Sequence, residues 1–299
     1  MQTFTFKAAD GVELTGTRYT PEADAKAVVV LPSAMGVKQD FYRPFAQFLA
    51  KQGYAVLCFD YRGMGQSRPA RFRTSLRGFK ADLLDWAQRD YNAALLSAKA
   101  WQPGRPLLIV GHSLGGQLVG LVPDNHLIDG VLTIACGTGY WHYNVPKLKR
   151  YVWLLWYVLV PFYTTLFGYF PGKRLRKVGD LPRGVMFQWS HWCRHREYVV
   201  DRHGQPMSEG YQRMRAPMMA MSFTDDEMMS RRSVDSMHEL YANAPQERRY
   251  IAPQEVGARR IGHFGFFREQ FEGTLWQQAA VWLNQHSKQQ ADARDAQPA

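Results

Sequence analysis

Short aliphatic runs alternate with stretches of helical periodicity along the first half of the chain. Ala27-Val28-Val29-Val30-Leu31 is too short for a helix and rich in β-branched residues, so it reads as a strand buried on both faces. Leu107–Val110 and Val131–Ala135 have the same character, and 217–223 and 247–251 supply two later strands. Residues 76–98 carry the clearest helical pattern. Leu76, Phe79, Leu83, Trp86, Ala87, Tyr91, Ala94 and Leu95 recur at helical spacing, with Lys80, Asp82, Arg89 and Asp90 between them. Strand and helix alternating up to about residue 136 predicts a mostly parallel, doubly wound sheet. After residue 136 the alternation stops, and it resumes near Ala216. The stretch between is basic, rich in aromatics and poor in strand pattern.

One strand runs into chemistry. Leu107-Leu108-Ile109-Val110 leads straight into Gly111-His112-Ser113-Leu114-Gly115, and a small-residue helical stretch follows. A serine at a sharp strand-to-helix turn has its hydroxyl pushed out of a strained backbone, the nucleophile elbow G-x-S-x-G. Glycines two residues before and after are required because a Cβ at either would clash across the turn. A nucleophilic serine needs a base and an orienting carboxylate. Both follow in the order Ser, acid, His: the run 217–223 ends at Thr224-Asp225-Asp226-Glu227, and a loop after the last strand carries Gly262-His263-Phe264-Gly265.

These residues resemble the α/β-hydrolase superfamily over roughly residues 3–285, and look most similar to bacterial serine hydrolases without an assigned substrate. Asp60-Tyr61-Arg62-Gly63-Met64-Gly65-Gln66-Ser67 adds to the match, since it looks like the turn that follows an early strand in this superfamily. There the arginine is structural, so Arg62 is a poor candidate for binding substrate. The resemblance implies a core of residues 1–136 and 216–285, with a cap or lid of residues 137–215 inserted between two late core strands. Residues 286–299 are polar and rich in Ala and Gln, and read as a disordered tail.

The resemblance also implies the roles. Ser113 is the nucleophile and His263 the general base. Counting three residues on from Ser222, the small residue at the strand end, gives Asp225 as the triad acid, with Asp226 its main rival. The oxyanion hole would come from two backbone N–H groups, those of Leu114 and Ala34. Many relatives have His-Gly where this chain has Pro32-Ser33, and Met35 is the alternative to Ala34. His112, inside the elbow, is expected to pack behind the serine.

The twenty residues 151–170 hold no charge and are flanked by Lys147, Lys149 and Arg150 on one side and Lys173, Arg174, Arg176 and Lys177 on the other. Length alone would allow a bilayer span. Pro161 and Gly168 interrupt the run, and aromatics are scattered through it rather than gathered in two interfacial belts. It therefore reads as two cap helices broken at Pro161 that form an apolar pocket wall.

Charge changes the picture in one respect. Lys and Arg number 37 against 26 Asp and Glu, a formal net charge of +11. No nucleic-acid-binding motif accompanies this surplus, so nucleic acid is not an expected partner. Two readings stay open: an ordinary solvated basic surface, or, because basic residues flank the apolar cap segment, peripheral contact with anionic membrane. Cys58, Cys136 and Cys193 are an odd number without metal spacing, and no disulfide framework, cofactor or metal is expected. His191 and His195 lack a third ligand, and Trp189, His191 and Trp192 are candidates to face substrate. The N-terminus opens in a strand pattern without a charged and apolar leader, which reads as cytoplasmic.

The expected activity is cleavage of a small-molecule carboxylic ester through an acyl-enzyme, with an apolar acyl or aromatic group. The same triad would serve an acyltransferase. A lipid- or partner-binding protein on a hydrolase scaffold is the other class.

Overall fold

A computed structural model describes residues 1–175 and 178–295. Eight strands form one sheet. In chain order the elements are β1 (Gln2–Lys7), β2 (Glu13–Tyr19), β3 (Val28–Leu31), α1 (Arg43–Lys51), β4 (Ala55–Phe59), α2 (Asn92–Trp101), β5 (Leu107–His112), α3 (Leu114–Gln117) and β6 (Gly130–Ile134). After them come α4 (Pro146–Leu154), α5 (Val160–Phe167), β7 (Tyr169–Phe170), β8 (Leu181–Pro182), α6 (Arg183–Arg194), α7 (Glu209–Arg213), β9 (Met218–Phe223), α8 (Arg231–His238), β10 (Gln246–Ile251), α9 (Gly262–Gly265) and α10 (Leu275–Asp295). The sheet order is β1-β2-β4-β3-β5-β6-β9-β10. From β4 to β10 all pairings are parallel, and β1 and β2 add an antiparallel edge. This is the α/β-hydrolase fold.

The aliphatic runs become central strands because every residue in them has an apolar layer to enter. Val28 and Val30 face one layer with Leu57, Ile109 and Trp86, while Val29 and Leu31 face the other with Val56, Val110 and Trp276. The period of two in a strand thus feeds both faces of the sheet, with helices covering each.

The helix read over 76–98 begins later than its periodicity suggests. Gly78 has a positive φ, and the Phe79 N–H closes a turn on the Leu76 carbonyl, so 76–79 is a turn whose Leu76 is still fully buried. The Asp82 side chain accepts from the Asp85 N–H at 2.8 Å, and the Asp85 side chain accepts from the Asp82 N–H at 3.1 Å. That reciprocal capping pair starts the helix, which opens with a π-helical stretch, Asp85–Tyr91, before α2. At the other end of the chain, α10 runs to Asp295, so the segment read as a tail is helical to that point; residues 296–299 lie outside the described residues.

Between β6 and β9 the chain leaves the sheet altogether. The two strands pair directly, Val131 opposite Met218, and β7 and β8 pair only with each other. The uncharged segment is not broken at Pro161. Helix runs from α4 through a π-helical turn, Leu155–Leu159, into α5, where Pro161 sits in the first turn. A proline within a helix lacks one N–H and crowds the carbonyl four residues back; the widened turn just before α5 accommodates both. Gly168, with φ of 77°, ends the helix in the left-handed conformation.

Arg62 takes the structural part expected of it. Its guanidinium meets Asp10 at 2.6 Å and Asp90 at 2.7 Å, and its own N–H donates to Asp90 at 2.8 Å. Arg62 and Asp90 are buried. The Arg62 guanidinium holds the Asp10 carboxyl down to about 2. Removing one member of a buried, hydrogen-bonded ion cluster strands the others, so Arg62→Ala is expected to lower the unfolding free energy by about 3–5 kcal/mol. Chemical denaturation reads this directly. An unchanged midpoint with a raised KM would instead put Arg62 on substrate.

Candidate active site

Ser113 sits between β5 and α3 with φ 50° and ψ −115°, a conformation that a non-glycine residue adopts only under constraint. The constraint is local. The Ser113 N–H donates to the Ile134 carbonyl at 2.9 Å, tying the turn to β6. A Cβ on Gly111 would lie 2.6 Å from the Gly116 Cα. One on Gly115 would lie 2.3 Å from the Pro32 carbonyl oxygen, so this second glycine makes room for the loop after β3 rather than for Gly111.

His263 opens α9 and is buried. Its Nδ1 lies 2.8 Å from Asp226 Oδ2, and Asp226 Oδ1 accepts from the Met228 and Met229 N–H groups at 2.7 and 2.9 Å. A carboxylate only accepts, so Nδ1 carries a proton, and in the neutral imidazole Nε2 is then the accepting nitrogen. The expectation that Asp225 would be this partner is corrected. Strand β9 extends through Phe223, and the Thr224 N–H still bonds to the Ile251 carbonyl. The turn therefore comes one residue later than a count from Ser222 assumes, and the carboxylate facing the imidazole moves on by one. Asp225 instead accepts the N–H groups of Ile261 and Gly262 at 2.9 and 3.0 Å. Glu227 accepts the N–H of His263 at 3.1 Å and lies 3.4 Å from Arg260. Three consecutive acids thus hold one turn: Asp226 holds the ring, its neighbours the backbone that carries it.

Ser113, Leu114, Met35 and His263 line one cavity of about 110 Å³. The side chains of Ser113 and His263 share it without a hydrogen bond between them. Its other walls are largely apolar. Leu148, Val152, Leu155 and Trp156 come from α4 and the π-helical turn, and Trp189 comes from α6. Of the three cap residues considered as substrate-facing, only Trp189 reaches the cavity. Trp192 is buried with its indole on the Val200 carbonyl, and His191 Nε2 donates to the Asp201 carbonyl.

The loop after β3 departs from expectation. The Ala34 N–H donates to Tyr42 Oη at 2.8 Å, so it is already engaged. Tyr42 Oη in turn lies 2.9 Å from His112 Nδ1, and His112 Nε2 lies 3.0 Å from the His263 carbonyl. A carbonyl can only accept, so Nε2 carries the His112 proton and the tyrosine O–H donates to Nδ1. Burial pushes His112 well below its usual pKa, which keeps it neutral and fixes this direction. His112 is thus one link of a buried chain from the β3 loop to the His263 backbone. Tyr42 carries no motif that would announce it; only the fold brings it there. Among the described residues, the N–H groups of Met35 and Leu114 make no hydrogen bond.

Among the described residues, no group of three or more His, Cys, Asp or Glu is arranged to hold a metal ion. Cys58, Cys136 and Cys193 are unpaired and buried. No described helix is long and apolar enough to cross a membrane.

The sequence model of the family described as serine aminopeptidase S33, a group of α/β-hydrolase serine enzymes, matches residues 23–172, half of the chain and the half that holds the elbow. The chain belongs to this family. Among curated proteins, a monoacylglycerol lipase of Mycolicibacterium smegmatis is 31% identical over 114 residues, which is 38% of this chain and 38% of that protein's length. The chain thus matches well under two thirds of that relative. Among solved structures, a soluble variant of monoglyceride lipase from Saccharomyces cerevisiae superposes with a TM-score of 0.66 at 16% identity, covering 95% of this chain and 94% of the other. A thermostable carboxyl esterase from Bacillus coagulans gives 0.68 at 12% identity, covering 96% and 98%. At such identities the structures share the fold with this chain.

Proposed function

We propose that the chain is a serine esterase that cleaves a carboxylic ester of a medium or long apolar acyl group. One observation carries the reading: His263, paired with Asp226, and the strained Ser113 lie on one cavity whose other walls are largely apolar. The family and the partial match to a monoacylglycerol lipase support it.

In this reading Ser113 Oγ attacks the ester carbonyl carbon while His263 Nε2 takes its proton. Asp226 holds the resulting imidazolium. The negative charge on the carbonyl oxygen is met by the N–H of Leu114 and of Met35, the loop amide that Tyr42 leaves free. Collapse expels the alkoxide, which leaves as the alcohol with the proton from His263. Water then attacks the acyl-enzyme with the same help and frees the acid. Protein groups do all of this, with no cofactor.

A p-nitrophenyl ester series from C2 to C12 tests the acyl preference. Each methylene buried against the cap wall contributes up to about 0.8 kcal/mol, so kcat/KM is expected to rise by as much as about fourfold per carbon until the cavity is full. A maximum at C2 would mean that the walls enclose a small pocket and would overturn the long-chain reading.

A further inference from the structure

The helix that lines the acyl cavity has a second face, whose large apolar side chains are exposed among the described residues. Leu148, Val152, Leu155 and Trp156 point into the cavity, whereas Tyr151, Leu154, Val158, Phe162 and Leu166 are exposed, with Trp153 and Tyr157 beside them. The exposed set recurs at steps of three and four residues, so it forms one stripe along the helix. Phe162 is 58% and Leu166 55% exposed. Among the described residues, most of the large apolar side chains left in water lie on this one element. A contiguous apolar face of this kind marks a docking surface.

Its electrostatic setting selects the occupant. Lys147, Lys149 and Arg150 are exposed at the start of the helix, and Lys173 and Arg174 just past its end. Arg77 adds a cation there by donating to the Leu166 and Phe167 carbonyls at 2.8 and 3.1 Å. The sequence has no Asp or Glu between Asp129 and Asp180. An apolar stripe closed at both ends by cations, with no carboxylate in its own segment, matches the two layers of an anionic bilayer surface, acyl chains beneath phosphates.

We infer that the outer face of the helix from Pro146 to Phe167 lies in the plane of an anionic lipid surface, with Tyr151, Leu154, Val158, Phe162 and Leu166 entering the acyl layer and the basic ends meeting phosphate. The helix then stands between lipid and the acyl cavity, one turn of side chains thick, and draws an acyl chain from one face to the other. Only the nature of what is drawn in rests on the esterase reading; the docking does not.

The test uses the full chain carrying Ser113→Ala, so that no turnover alters the lipid. It is cosedimented with vesicles of equal phosphatidylglycerol and phosphatidylcholine, and with phosphatidylcholine alone, at low and high salt. Binding to the anionic vesicles at low salt is expected, at least tenfold above the neutral ones. A measurable part should persist at high salt, because inserted aromatics do not respond to screening. Phe162→Glu with Leu166→Glu should remove the salt-resistant part. Lys147→Glu, Lys149→Glu and Arg150→Glu together should weaken low-salt binding tenfold or more. In the active chain, both sets should hydrolyse a soluble C4 ester at the unaltered rate, which shows that the variants fold. No binding to anionic vesicles at low salt would overturn the inference. So would complete loss of binding at high salt, or unchanged binding by the Phe162→Glu, Leu166→Glu pair. A dimer that forms through this face and ignores vesicles would replace the lipid with a second copy of the chain. Vesicle binding in a protein whose active form cleaves no ester would sink the esterase reading alone.

Discussion

A fluorophosphonate probe is expected to modify Ser113 alone, and Ser113→Ala to abolish both labelling and ester turnover. The expected loss in kcat is roughly a millionfold, the scale on which removing a nucleophilic serine acts. The structure makes this sharper than a motif would. Ser113 is held at φ 50° by a hydrogen bond to β6 and by glycines whose replacement would drive a Cβ into backbone. The alanine variant keeps every one of those constraints and loses one oxygen atom, so a loss of activity with an unchanged melting temperature isolates the chemistry. Peptide mapping of the labelled chain identifies the modified residue. Labelling that survives in Ser113→Ala would end the proposed mechanism.

The second large effect separates two adjacent carboxylates. Asp226→Asn is expected to lower kcat by roughly 10⁴, because an amide in place of the carboxylate favours the wrong imidazole tautomer and leaves the imidazolium without a countercharge. Asp225→Asn should cost far less. Asp225 accepts two backbone N–H groups, and asparagine can still accept one of them. Losing the other bond is worth about 1–3 kcal/mol and acts on the placement of the His263 turn. Steady-state kinetics of the two variants, with melting temperatures alongside, decide the assignment. If Asp225→Asn proves the worse in kcat while its stability is unchanged, the acid has been misplaced.

That pair also shows where the sequence stops being legible. The strands could be read because Ala27–Leu31 and Leu107–Val110 are aliphatic on both alternations, a pattern that only a two-sided sheet satisfies. Ser113 and His263 could be read because a turn chemistry and a chain order announce them. Choosing among Asp225, Asp226 and Glu227 needs the last residue of β9, and strand ends are set by pairing with β10, not by composition. The engagement of the Ala34 N–H depends on Tyr42, whose place is fixed by aromatic packing on Phe267 at 4.8 Å, a contact between distant parts of the chain. Likewise the periodicity of 76–98 is real in the burial of its apolar residues, yet the Asp82–Asp85 capping pair decides where the helix starts.

The direct pairing of β6 with β9 has a consequence for how the molecule assembles and diverges. The two strands sit in register although the whole segment from residue 137 to 215 separates them. Closing a connection of that length, rather than one of about ten residues, adds three doublings of loop length and so about 2 kcal/mol of chain entropy. The sheet meets that cost from strand pairing alone, and neither strand borrows an edge from the intervening helices. Folding can therefore complete the sheet before the inserted helices settle. Mutational drift within them can reshape acyl-chain selection and lipid contact while the elbow and its histidine turn, anchored on β5, β6, β9 and β10, stay fixed.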